Sequence, residues 1–182
     1  MIYVILGILV LLVIWFIKMY NGLVKLRNRV KDQWAQIEVH LKKRFDLIPN
    51  LVETVKGYAK HESVTLEQVI AARNKFTTAT TPEAEMEASG ELSRVLSKIM
   101  MLTENYPELK ADRNFLQLQS ELKDIEEKIA YARQFYNDSV LSYKNKLEMF
   151  PSNIIANMFN FLPEKFFEAE KEAKEVPKVS FE

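Results

Sequence analysis

Two histidines, four glycines and no cysteine limit the chemistry open to this 182-residue chain. His61-Glu62 begins like a zinc-protease helix, in which a second histidine one turn on brings two ring nitrogens to one metal. Here the next turn carries Val64 and Thr65. Neither His40 nor His61 has a glutamate three positions before it, so the Glu-x-x-His unit of di-iron bundles is missing. Without cysteine there is no thiolate zinc site, disulfide, nucleophilic thiol or lipidated anchor. Gly7, Gly22, Gly57 and Gly90 stand isolated and make no phosphate-binding loop. The serines show no Ser-His-acid pattern. These residues predict no catalytic centre, no cofactor and no metal.

Polar groups placed on or beside apolar stripes are the remaining candidates. Arg44, Asp46 and Asn50 flank Pro49, while Arg73, Arg133 and Asn137 fall near Phe76, Phe135 and Tyr136. Paired, such groups fix helix register and satisfy the carbonyl that Pro49 frees. The alternative is a partner-binding face.

The elements that must position them read as helices. Met1 to Ile17 carries no charge and covers about 26 Å as a helix, close to the ~30 Å hydrocarbon core. Residues 1–20 are therefore expected to form a retained transmembrane anchor in contact with the lipid bilayer. Lys18, Lys25, Arg27, Arg29 and Lys31 follow it before any acidic residue. The positive-inside rule then predicts a single-pass topology with the N-terminus outside and the body in the cytoplasm.

Beyond the anchor, Leu23, Leu26, Val30, Trp34, Ile37, Leu41, Phe45, Ile48, Val52, Val55 and Ala59 recur in steps of three and four, the stripe of an amphipathic helix. The stripe keeps its phase across Pro49, which predicts a kinked but continuous helix to about Lys60, with Gly57 as a place for another helix to approach. Ser63 is expected to cap a second helix, which ends before Pro82. Thr81 and Pro82 suit the start of a third, running to about Glu104. Asp112 or Asn114 begins the last long helix, with a stripe from Phe115 to Phe150 at near-heptad, coiled-coil-like spacing. No segment alternates with period two. The fold class expected is all-α: an N-terminal transmembrane helix, then an elongated antiparallel bundle of three to four long helices over residues 21–162, and a charged tail over 163–182.

The segment Pro151 to Phe161 is apolar and aromatic. It reads as a short helix docked on the bundle, or as a patch touching a partner or membrane. In the tail, Val179 and Phe181 at alternate positions suit anchoring in a groove. The chain's zero formal charge is a cancellation: residues 1–44 carry +6 and the remaining 138 residues −6. An acidic distal body argues against nucleic acid as a partner.

Four stretches carry a resemblance: YNGLVKLRNRVKDQWAQIEVHLKKRFDLIPNLVETVKGYAKHE, ENYPELKADRNFLQLQSELKDIEEKIAYARQFYND, FPSNIIANMFNF and PKVSF. In these the chain resembles the LemA family of bacterial membrane-anchored proteins. Asp46, Pro49, Asn50, Gly57, Tyr58, Tyr106, Pro107, Asn114, Arg133, Tyr136, Asn137, Phe150, Pro151 and Asn153 match its motifs. The chain departs at Asn160, where the family usually has glycine, and at Lys144, where asparagine often follows the tyrosine. Asn160 is expected to preserve the turn, because asparagine tolerates positive φ. The resemblance implies a bacterial cell-membrane location and an all-helical body, and brings no catalytic residues. Some members are encoded beside membrane proteases, which makes such a system a candidate partner.

The function expected is a membrane-tethered, non-enzymatic scaffold or adaptor that binds a protein partner. Its candidate surface comprises Arg133, Tyr136, Asn137, Phe150, Asn153, Phe159 and Phe161. The alternative is a membrane-organising protein acting by homo-oligomerisation and lipid contact, through the basic collar and residues 154–161.

Overall fold

A computed structural model describes residues 1–167. The residues Val179 and Phe181 singled out above lie outside that range. The described residues are helical and contain no strand. The helices are α1 (Ile2–Tyr58), α2 (Ser63–Thr78), α3 (Pro82–Leu102), α4 (Pro107–Ala111), α5 (Arg113–Glu148) and α6 (Ser152–Met158), with a 3-10 turn at Thr103–Asn105. They form two compact units: residues 1–36 with 132–167, and residues 37–131. Helices α1 and α5 contribute to both.

The unit formed by residues 37–131 is a four-helix assembly. Its core takes Ile37, Leu41, Ile48 and Leu51 from α1, Val69 from α2, Leu92 and Ile99 from α3, and Ile129 from α5, each without solvent exposure. Helices α2 and α3 form an antiparallel hairpin. Lys75 reaches Glu87 and Glu91 near the turn, whereas Gln68, earlier in α2, meets Lys98, later in α3. Helices α1 and α5 run antiparallel by the same logic: Arg44 meets Glu126, and Tyr58 meets Asp112.

Pro49 does not break α1, which continues to Tyr58. Its missing amide falls on an exposed position, so the freed carbonyl costs little. Thr81 caps α3 by accepting from the Ala84 amide at 3.2 Å, with Pro82 at the first helical position. Asp112 rather than Asn114 caps α5, accepting from the Phe115 amide at 2.9 Å. Two local expectations fail. Glu62, not Ser63, precedes α2, and no side chain caps it. Among the described residues, a Cβ added at Gly57 would meet nothing within 4 Å, so no described helix approaches there.

In the unit formed by residues 1–36 and 132–167, α1 begins as the apolar run. Its side chains from Ile2 to Val13 are exposed, and it is the one helix among the described residues long and apolar enough to cross a membrane. Leu23, without solvent exposure, is the first buried residue of the stripe. Val140 and Tyr143 of α5 and Ile155 of α6 complete this core. Asn160, at φ 53°, makes the turn after α6, as expected of an asparagine that tolerates positive φ.

Candidate functional site

The candidate residues separate into two clusters of the same unit. The first is built on one face of α5. Arg133, Tyr136 and Asn137 fall at spacings of three and four, which places them side by side. Asn137 donates from its side-chain nitrogen to the Phe167 carbonyl at 3.0 Å and accepts from the Phe167 amide at 2.8 Å. The Tyr136 hydroxyl donates to the Lys165 carbonyl at 2.9 Å. The Arg133 guanidinium lies over the Phe167 ring, 4.2 Å from its centroid. Trp34 closes the site from α1, with its ring 5.5 Å from Tyr136 and 6.1 Å from Phe167.

This is a clamp on Phe167. One amide side chain satisfies both backbone polar groups of that residue, while a cation and an indole hold its ring. Its occupant is the chain's own segment 165–167. Residues 165–167, part of the charged tail expected from residue 163, thus lie against α5. Trp34 is the member that sequence reading assigned only to the core stripe. The signal that finds it is its half-buried ring on the face that meets α5.

The second cluster surrounds the base of the apolar run. Phe159 packs on Phe16 at 6.0 Å and on Tyr20 at 4.8 Å, edge-on to the latter. Phe161 is buried, 5.7 Å from Tyr20, with the Arg27 guanidinium 5.1 Å over its ring. Of the expected basic collar, Lys18, Lys25, Arg29 and Lys31 are exposed, but Arg27 is half-buried against Phe161. Asn153 is half-buried, and its side-chain oxygen has no hydrogen-bond partner among the described residues. Phe150 is 79% exposed.

The electrostatics do not assemble a reactive group. Burial, seconded by Lys43 and Lys128, lowers the pKa of His40 and favours its neutral form. Burial raises Tyr143, against a smaller opposing effect of Arg27, so the phenol stays protonated at neutral pH. In the other unit, buried Arg44 pairs with Glu126 at 3.0 Å and donates to the Ser93 hydroxyl at 3.0 Å. It thus ties three helices together. Among the described residues no group of three or more His, Cys, Asp or Glu side chains is arranged to hold a metal.

The LemA family model matches residues 33–181, and the chain belongs to that family. Protein LemA of Metamycoplasma hominis is 23% identical over 150 residues, covering 82% of this chain and 68% of that protein. Magnetosome protein MamQ of Magnetospirillum gryphiswaldense is 22% identical, covering 88% of this chain and 68% of its own length. Magnetosome protein MamQ 2 of Paramagnetospirillum magneticum is 26% identical over 98 residues, and the chain spans 36% of its length.

Proposed function

We propose that this LemA-family chain is a membrane-tethered, non-enzymatic scaffold that presents a helical body to a protein partner at the cytoplasmic membrane face. The observation that carries this reading is α1 itself. A single helix starts as an apolar run with exposed side chains and becomes, from Leu23, the buried stripe of the body. A run of that length exposed to water is costly, and a bilayer removes the cost. The exposed Lys18, Lys25, Arg29 and Lys31 directly after it support an N-terminus outside and a body inside.

The clamp of Trp34, Arg133, Tyr136 and Asn137 supports the partner reading, because it already grips the backbone and ring of an aromatic residue. Phe135, 58% exposed on the same helix, gives a neighbouring aromatic contact. A membrane protease system is the first partner class to test. A photoreactive phenylalanine analogue at Phe135, in the full chain in cells, is expected to trap a discrete adduct that the same probe at exposed Lys123 does not. Equal yields at both positions overturn the partner reading. Activity of a topology reporter fused after Glu182 only outside the membrane overturns the orientation.

A further inference from the structure

We infer that the loop-and-helix segment 149–162 is a second membrane-contact element, seated in the headgroup–acyl boundary of the leaflet from which the body emerges. The inference rests on the anchoring reading of residues 1–20 and goes beyond it, because a tether requires no lipid contact from the C-terminal end of the chain.

Three observations meet here. The first is composition: residues 149–163 carry no charged side chain in a chain that is 27% charged. Their polar groups are serine and asparagine, which tolerate an interface better than ions do. The second is exposure. Met149 is 62%, Phe150 79%, Ile154 51%, Met158 64%, Phe159 47% and Leu162 66% exposed. Ile154 and Met158 lie one turn apart on the outer face of α6, while Ile155 and Ala156 supply its buried face. A monomeric soluble protein does not normally gather this much apolar surface in one short segment.

The third is level, and it identifies the occupant. Phe159 packs on both Phe16 and Tyr20. Phe16 belongs to the last turn of the apolar run, and Tyr20 lies one turn further. The exposed patch is therefore continuous with the end of the anchor. If the anchor occupies the hydrocarbon, Phe159 sits where hydrocarbon gives way to headgroups. Exposed Lys18 lies at that same boundary, placed to meet lipid phosphates. Aromatic rings with polar edges favour this zone, and interfacial apolar faces typically enter it by ~5–10 Å.

The test exploits the absence of cysteine. Single substitutions Leu9→Cys, Ile154→Cys, Met158→Cys and Lys123→Cys each carry one environment-sensitive fluorophore. The full-length chain is reconstituted in phosphatidylethanolamine–phosphatidylglycerol vesicles containing lipids spin-labelled at graded depths. Deep quenching is expected at Leu9, quenching at ~5–10 Å below the headgroups at Ile154 and Met158, and none at Lys123. Quenching at Leu9 with Ile154 and Met158 no different from Lys123 overturns the second contact and leaves the anchor intact. A blue shift at Ile154 and Met158 without lipid quenching means that protein, from a second copy or another chain, covers the patch, and it overturns the proposal. Loss of quenching at Leu9 overturns the anchoring reading and the inference with it.

Discussion

The two units solve the problem of joining helices in different ways. In residues 37–131 the core is mostly aliphatic, with Phe115 and one stacked ring pair, Phe45–Phe76, and polar side chains tie the helices: Arg44 to Ser93 and Glu126, Tyr58 to Asp112, Tyr106 to Glu62, Lys75 to Glu87 and Glu91. Exposed apolar residues such as Val39, Val64, Met101 and Leu116 are scattered. In residues 1–36 with 132–167 aromatic rings make the joints, through Phe16, Tyr20, Trp34, Tyr136, Phe159, Phe161 and Phe167, with Arg27 and Arg133 over two of them. Exposed apolar residues there gather in residues 1–17 and 149–162, with Phe135, Leu141 and Phe166 outside them. The first pattern is that of a bundle bathed in water. The second is suited to a zone where one side is apolar and the other wet, because rings keep an apolar body and tolerate polar neighbours.

This contrast can be broken most forcefully at the aliphatic core. Ile99→Ala is expected to cost ~2–5 kcal/mol, read by chemical denaturation, because a side chain without solvent exposure leaves a cavity. A loss no larger than that of an exposed control such as Ile70→Ala would mean that this unit does not rest on aliphatic packing.

The Arg44 tie gives the next largest effect. Glu126→Ala leaves the guanidinium, with its side chain 4% exposed, without its ion pair, and is expected to cost about 1–3 kcal/mol. The half-exposed carboxylate keeps the effect below that of a fully buried pair. Arg44→Met, which removes the charge and keeps the bulk, should cost less than Glu126→Ala. The reverse order would show that the arginine is valuable for its other contacts.

In the aromatic unit, Asn137→Ala removes both hydrogen bonds to Phe167 and is expected to free the segment at a local cost of ~1–3 kcal/mol. Hydrogen exchange at the Phe167 amide should rise by roughly tenfold or more, each 1.4 kcal/mol being a factor of ten. Amides of the Leu92–Ile99 stretch should keep their protection. Unchanged exchange at Phe167 would show that ring contacts, not the amide clamp, hold the segment.

The smallest effect expected is a pH slope. His40 has its folded pKa lowered below the unfolded value of about 6.5 by burial, Lys43 and Lys128. The unfolded chain therefore binds the proton more readily, and stability falls as pH drops through that unfolded value and is recovered above it. His40→Gln should flatten the change in melting temperature between about pH 7 and pH 5. Asp112 acts in the same direction at lower pH. The Phe115 amide and the Tyr58 hydroxyl hold its carboxylate below the usual value, so its contribution is present above that value and fades only under stronger acid.

Much of the helical plan was legible before any coordinates. The stripe from Leu23 to Ala59 keeps its phase through Pro49, and α1 is continuous for that reason. A proline on an exposed face removes one hydrogen bond without disturbing the buried one. Thr81-Pro82 and Asp112 start helices because side-chain oxygens and a fixed φ act on their own neighbours, and local chemistry can be read from local sequence. Ser63 shows the limit: a good capping residue was present, but the chain entered the helix one position earlier. In α2, Ile70 is exposed whereas the smaller Ala72 is buried, because the neighbour chosen by packing decides which residues are covered.

What the sequence by itself determined is the set of helices, the apolar run at its start and the membership of the LemA family. Each depends on periodicity, hydropathy or motif, which are properties of consecutive residues. Only the tertiary structure decided that Asn137 clamps Phe167, that Arg44 joins three helices and that Phe159 meets Phe16 and Tyr20. Those pairs are distant in sequence, and a contact between distant residues is set by how whole helix faces pack. No spacing rule within one helix contains that information.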